Sequence, residues 1–275
     1  MNKIYCSTGV MVGRINNNDY TLITKHFPSL IQSSLIYGAE FMFAHSFYDK
    51  LDDIYNEMSK SNIKFDIMHF DKEIGIMLSE CNDEISNEAM DLLKINCEFA
   101  NKIGAQKGVF HLWGGTKSDS HIEYNISYLP EIIDMFKKYG IELLIENIPC
   151  TIHSGLSVWR MLYKYLPDIG FIFDTRFGAF HDEIKEIFNE PIWEHIKHIH
   201  ISDYSSHPRD FSKIRPILHP NEGVIDFQYV FKKLKECNYQ GSITLESPVF
   251  GETGPDIEKL SKTLIYLNEN IKSHD

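Results

Sequence analysis

Eight short apolar runs rich in Ile, Val and Phe alternate with longer amphipathic stretches along this chain, and no other feature constrains its fold as tightly. The runs are Lys3–Ser7, Glu40–Ala44, Lys64–Phe70, Lys107–Leu112, Ile141–Glu146, Ile169–Asp174, Ile196–Ser202 and Ser242–Glu246. The stretches between them carry helical signals. Ile85, Ala89, Leu92, Leu93, Cys97, Ala100 and Ile103 fall on one stripe, closed by Gly104. Lys137, Lys138 and Gly140 read as a basic last turn and a C-cap. Ile257, Leu260, Leu264, Leu267 and Ile271 step by three and four, the spacing of a final amphipathic helix. Strands separated by helices pair in parallel, because a parallel neighbour needs a long crossover. Eight units in 275 residues give roughly 34 residues each, the scale of a (β/α)8 TIM barrel. We therefore expect an α/β chain folded as one barrel domain over residues 1–275. An open doubly wound sheet would favour a glycine-rich phosphate loop after the first strand. There the chain offers only Gly9 and Gly13, with neither GxGxxG nor a P-loop.

A barrel needs a large core. With 43% apolar and 13% aromatic residues the chain can build one, and disorder is excluded. The 27 Lys+Arg against 39 Asp+Glu leave a net charge of −12. Neutralising phosphates takes a surplus of basic side chains, so a nucleic-acid partner is not expected. The five cysteines (Cys6, Cys81, Cys97, Cys150 and Cys237) are odd in number and scattered, with no CxxC. That pattern argues against a disulfide framework or a cysteine zinc site and fits a reducing compartment. The N-terminus lacks the apolar core of a signal peptide, and no stretch approaches the run of about 18 apolar residues of a membrane span. The expectation is a cytoplasmic protein without a membrane partner.

In a barrel the chemistry gathers where the strands end, at the C-terminal face. Strands three to eight end in His69, His111, Glu146, Asp174, His200 and Glu246, at steps of 42, 35, 28, 26 and 46 residues. Side chains alternate across a strand, which gives a test of direction. If Glu146 faces the axis, so does Leu144, while Leu143 and Ile145 face the helices. Asp174 carries Ile172 and Gly170 inward and leaves Phe171 and Phe173 outside. Glu246 carries Thr244 and Ser242 inward and leaves Ile243 and Leu245 outside. The bulky residues fall on the helix side each time. Three carboxylates and three imidazoles at one mouth need a compensating charge, which a divalent cation supplies. Such ligands suit Mn2+ and Zn2+ first, with Co2+, Fe2+ and Mg2+ as alternatives. Taken singly, each residue has a plainer reading. A lone histidine after an apolar run is more often a core or rim residue, and Asp174-Thr175 and Glu246-Ser247 have the form of helix N-caps. It is the joint pattern that points to a cation, and His69 and His111 are its weakest members.

These residues make the chain resemble the xylose isomerase-like barrel superfamily, which includes sugar isomerases, ketose epimerases, inosose dehydratases and apurinic endonucleases. The similarity covers nearly the whole chain. It rests on Glu146-Asn147, Phe173-Asp174-Thr175, His198-Ile199-His200-Ile201-Ser202-Asp203, Asn221-Glu222-Gly223-Val224-Ile225-Asp226-Phe227 and Leu245-Glu246. The resemblance implies a central metal held by Glu146, Asp174, His200 and Glu246. Glu146 and Glu246 would also act as acid and base on either face of a substrate. The endonuclease branch implies a second ion on His69 and His111 with Glu146 bridging, hence one or two ions per chain. There are departures from the family pattern. Phe177 stands three residues after Asp174, where a histidine is common. Ile217-Leu218-His219 keeps only the histidine of the endonuclease's Asp-x-His. Ser206 occupies the place of an arginine usual in ketose epimerases, and Arg209 and Arg215 on the same loop are the candidates to replace it.

The function expected from this resemblance is a divalent-metal-dependent isomerase or epimerase. Its substrate would be a sugar, a sugar phosphate or a polyol-like small molecule, and Glu146 and Glu246 would transfer protons through a metal-stabilised enediolate. Asn147 and Asp203 are expected to orient ligands, with a loop cap as the other reading of Asp203. Trp113 is either a sugar platform or a core aromatic. The segment from Tyr204 to Glu222 exceeds the usual loop length. Arg209, Arg215 and His219 on it, with His207 and Lys213, form a positive cluster. That cluster reads as a site for a phosphorylated or acidic substrate, or as a solvated loop. His121, His153 and His181 are expected at the surface. Two other functions remain as alternatives: a metal-dependent phosphodiesterase or apurinic endonuclease-like hydrolase, and a non-catalytic metal-binding barrel. A homo-oligomer fits the habit of the family.

Overall fold

The computed structural model describes residues 2–272. Eight parallel strands close into a barrel in chain order: β1 Ile4–Ser7, β2 Gly38–Met42, β3 Ile67–His69, β4 Lys107–Phe110, β5 Glu142–Glu146, β6 Gly170–Asp174, β7 Ile196–Ile201 and β8 Ser242–Leu245. β1 pairs with both β2 and β8, which completes the ring. The helices are α1 Thr21–Gln32, α2 Leu51–Met58, α3 Lys72–Leu78, α4 Asp83–Ile103, α5 Ile122–Ser127, α6 Leu129–Lys138, α7 Gly155–Tyr165, α8 Thr175–Phe180, α9 Ile184–Ile187, α10 Phe227–Glu236 and α11 Ile257–Lys272. The expected TIM barrel is therefore present, with strand edges displaced by up to three residues.

The largest displacements have a physical cause. β2 starts at Gly38 rather than Glu40, so Glu40 lies in mid-strand opposite Ile67. β3 starts at Ile67 rather than Lys64. The preceding residues run extended outside the ladder, where the Lys64 carbonyl accepts the Ala39 amide and the Asp66 carbonyl accepts those of Gln106 and Lys107. α4 ends as its sequence demands, since Gly104 takes the left-handed conformation (φ 86°) that closes a helix cheaply only at glycine.

The apolar core divides into two parts. Tyr5, Ile67, Val109, Leu144 and Ile172 fill the barrel interior. Leu143, Ile145, Phe171, Phe173, Ile243 and Leu245 belong to the larger shell between strands and helices. The two-residue alternation thus places side chains as expected, and the polar ends of the same strands stand on the inner face above Leu144 and Ile172. Among the described residues no helix is long and apolar enough to cross a membrane.

Candidate metal centre and active site

Strand register brings the site together. Asp174 pairs with His200, and His200 pairs with Thr244, so carboxylate and imidazole leave adjacent strands at one height. Glu146 pairs with Ile172, two residues before Asp174 on the same inner face. One ligand atom from each of Glu146, Asp174, His200 and Glu246 lies within 4.8 Å of the others. A second group at the same spacing joins His69, His111 and Glu146. All six expected strand-end residues therefore meet at one mouth. Glu246 and His111 keep 8% and 9% exposure, while the other four are sealed, so the opening lies on the side of these two.

The hydrogen bonds show what each group can still do. Asp174 Oδ1 accepts the Phe177 amide at 2.9 Å and caps α8. Its Oδ2 is buried without a hydrogen-bond partner, as is Oε1 of Glu246. One oxygen of Asp174 thus caps a helix, as its N-cap form predicts, and the other is left without a hydrogen-bond partner. His69 Nδ1 lies 2.9 Å from the Phe70 carbonyl, to which it must donate. Its Nε2 is then a lone pair, unpartnered and 3.6 Å from Oε2 of Glu146. Two acceptors facing each other in a dry interior leave a place for a cation. His111 Nε2 touches that same Glu146 oxygen. Asn147 brackets the peptide of Asp174, accepting its N–H at 2.7 Å and donating to its carbonyl at 3.2 Å, and so fixes this strand end.

Electrostatics follow from burial and neighbours. Burial pushes the Asp174 carboxyl up to about 7, with Arg176 opposing and Glu146 and Glu246 adding to the rise. Burial also works against ionised Glu146, but His111 and His200 outweigh it and hold that carboxyl well below its ordinary value. Burial drives His111 down to about 3 against the pull of Glu146, so it is neutral and a competent ligand. His200 goes the other way: Glu246, Glu40 and Glu146 outweigh its burial and hold it well above the usual imidazole range. Four buried carboxylates, counting Glu40, face one buried guanidinium, that of Arg176. The donor set, its unpartnered atoms and its surplus of negative charge all fit a divalent cation.

Three groups near the mouth were not foreseen. Glu40 reaches across the barrel to His198 Nε2 at 2.9 Å and His200 Nε2 at 2.9 Å. His198 itself is fully buried on β7. Arg176 is 4% exposed, with Nη2 3.7 Å from Asp174 Oδ2. The signals existed, since Gly38, Glu40 and Met42 share one face of a buried strand and Arg176 follows Asp174 by two residues.

Other expected residues lie elsewhere or do other work. The Asp203 carboxylate accepts the amides of Tyr204, Gly223 and Ile225, so it fastens the ends of the long loop and does not reach the ligand group. His219 is buried, with Nδ1 on Thr263 Oγ1 at 2.8 Å and Nε2 on the Pro248 carbonyl at 3.0 Å. With both nitrogens engaged, it anchors the loop and offers nothing to a substrate. Trp113 is fully buried in the large apolar shell, so it is a core aromatic rather than an open sugar platform. Arg209 and Arg215 are exposed on the loop, and Arg209 Nη2 donates to the His153 carbonyl at 3.3 Å. His121 is exposed and His153 half-buried, but His181 corrects the surface expectation. It is buried, and its Nε2 accepts the Cys150 amide at 3.0 Å because the loop after β5 folds over α8.

Comparison with known proteins now adds to this geometry. Residues 35–268 match the model of the xylose isomerase-like TIM barrel family. The chain belongs to that family. An uncharacterized protein of Methanocaldococcus jannaschii, MJ1311, is 27% identical over 240 residues, covering 78% of each chain. The fold is shared with a D-tagatose 3-epimerase-like protein, at a TM-score of 0.70, 18% identity and coverage of 98% of this chain and 97% of that one. It is shared also with the IOLI protein, whose crystal structure carries a bound zinc atom, at a TM-score of 0.73, 16% identity and 99% coverage of both chains. At these identities the solved structures speak for the fold alone.

Proposed function

We propose that this member of the family is a divalent-metal-dependent isomerase or epimerase of a sugar, sugar phosphate or polyol-like molecule. The observation that carries the reading is the clustering of Glu146, Asp174, His200 and Glu246 within 4.8 Å, with free atoms on Asp174 and Glu246. These four residues would hold the cation, and a second ion would sit among His69, His111 and Glu146. A divalent ion so held supplies Lewis-acid polarisation of substrate oxygens. The epimerase-like and zinc-bearing neighbours support the reading without fixing a substrate.

The chain's own groups supply the proton chemistry. Glu246 lies at the open side with an unpartnered Oε1, which makes it the residue to take a proton from a substrate carbon. Glu146 lies deeper, held by His200 Nδ1 at 2.8 Å on Oε1 and by His111 on Oε2; its neighbours keep it ionised, so it would return a proton on the other face only after taking one up from solvent. Neutral His111 and Asn147 keep their partners in place while this happens.

The test is solvent exchange. Ketohexoses incubated in D2O with Zn2+- or Mn2+-loaded protein should gain deuterium at a carbon next to the carbonyl. Glu246→Gln should lower that rate by about 10²–10⁴-fold. If the loaded protein exchanges no ketose, ketose phosphate or keto-polyol, the isomerase reading fails. A second reading, hydrolysis of a phosphodiester by two ions, draws on the unpartnered His69 Nε2 beside His111 and Glu146.

A further inference from the structure

Behind the four-residue group lies a buried polar layer of Glu40, His198 and Ser242, which the proposed chemistry does not use. Glu40 on β2 and His198 and Ser242 on β7 and β8 are buried within the barrel, Glu40 and His198 completely. Ser242 Oγ lies 2.6 Å from His198 Nδ1. His198 Nε2 lies 2.9 Å from Glu40 Oε2. His200 Nε2 lies 2.9 and 3.1 Å from the two oxygens of Glu40. Glu40, His198 and His200 are sealed from solvent, so their donors and acceptors are satisfied within the layer.

That requirement fixes the protons. An ionised carboxylate only accepts, so both imidazoles must present Nε2–H to Glu40. His198 Nδ1 is then a lone pair and takes the Ser242 hydroxyl proton. His200 Nδ1 becomes the nitrogen turned to the mouth, where Glu146 Oε1 stands at 2.8 Å and Glu246 Oε2 at 3.4 Å. A ring turned over by 180° would put the carbon Cδ2 toward the centre in place of Nδ1 and the carbon Cε1 toward Glu40 in place of Nε2, leaving Glu40 without one of its donors.

We infer that Glu40 is a positioning residue: by taking Nε2–H from both His200 and His198 it selects Nδ1 of His200 as the nitrogen offered to a divalent cation. This rests on the reading of Glu146, Asp174, His200 and Glu246 as a metal site. A carboxylate behind a ligating imidazole fixes its tautomer and ring angle and raises its basicity, and losing it typically costs about 10–100-fold in metal affinity. Glu40 is well suited to this part, because it comes from the opposite side of the barrel and braces β7 across the axis. Ser242 extends the chain by one link and sets the orientation of His198.

The experiment compares zinc affinity by competition with a chromophoric chelator for the wild type, Glu40→Gln and Ser242→Ala, together with long-range 1H–15N imidazole spectra of the zinc-loaded wild type. Glutamine has the shape of glutamate but can accept fully from only one ring, so Glu40→Gln should bind zinc about 10–100-fold more weakly. Ser242→Ala, two hydrogen bonds further from the metal, should weaken binding less. The spectra should show His200 protonated on Nε2 and bound to zinc through Nδ1. Wild-type zinc affinity in Glu40→Gln, or zinc on Nε2 of His200, overturns the assignment while leaving the metal site standing. Should Glu40→Gln not fold, the wild-type spectra and Ser242→Ala decide the matter. Failure of the wild type to bind any divalent cation removes the metal site and this inference with it.

Discussion

Asp174 serves two masters with one carboxylate. Oδ1 is committed to the first turn of α8, and Oδ2 faces the mouth with nothing to bind. Its pKa, pushed up to about 7 chiefly by burial, sets a pH dependence with a definite sign. A cation needs the carboxylate, so below pH 7 protons compete with metal, and His200 must also release its Nδ1 proton. Zinc or manganese affinity should rise by more than tenfold per pH unit between about 6 and 7, and less steeply above 7, where Asp174 is ionised and His200 still has a proton to lose. Titrations showing the same affinity at pH 6 and pH 8 would contradict this. In the metal-free protein the same group works against stability. Its folded pKa exceeds an unfolded value of about 3.9, so the stability it contributes below that value is lost as pH rises through 7. The six strand-end residues that meet at the mouth stand out in the sequence because each ends an apolar run. The inward face of Glu40 could be read there too, but not its partners, because His198 and His200 lie 158 and 160 residues away and only barrel closure brings β2 and β7 together.

At the scale of the element, helices decide where strand ends sit. α3 packs so closely on the turn after β4 that a Cβ on Gly75 would stand 2.0 Å from the His111 carbonyl oxygen. Backbone against backbone cannot give way cheaply, so the absence of a side chain at residue 75 helps to place His111. Gly75→Ala should destabilise the fold by about 1–3 kcal/mol in urea titration. It should also weaken any second ion held by His69 and His111 more than the first. Equal stability, or an unchanged second ion, would show that this contact does not position His111. Loops were harder to foresee than strands and helices. The segment from Tyr204 to Glu222 looked like a charged lid, yet its ends are tied by the Asp203 carboxylate and its Tyr204 hydroxyl donates to the carbonyls of His207 and Asp210. In the same way Asp119 collects the amides of Thr151, Ile152 and His153 and ties the loop after β5 to the one after β4. Such bonds join backbone amides to one carboxylate, and backbone amides carry no sequence signal. Composition shows the charge of a loop but not which backbone groups it closes on.

At the scale of the whole molecule, charge bears on the choice between the proposed sugar chemistry and nuclease chemistry. A net charge of −12 surrounds the barrel with a field that repels polyanions. That repulsion reaches furthest at low salt, where the screening length grows to about 30 Å at 0.01 M, the very condition that helps ordinary DNA-binding proteins. The mouth adds a local obstacle. A third ion of the endonuclease type would need a histidine where Phe177 stands, and the Phe177 ring instead lies 4.1 Å from the Arg176 guanidinium. It would also need a carboxylate where Ile217 stands and a free imidazole at His219, whose two nitrogens are already held by Thr263 and Pro248. No rearrangement of one side chain restores that set, because His219 anchors the loop from the back. Protein loaded with Zn2+ and desalted should therefore hold one or two ions per chain by native mass spectrometry. It should leave abasic duplex DNA intact at 10 mM and at 100 mM salt. Three ions per chain, with nicking that disappears in Glu146→Gln, would identify the same mouth as a nuclease and overturn the proposed isomerase.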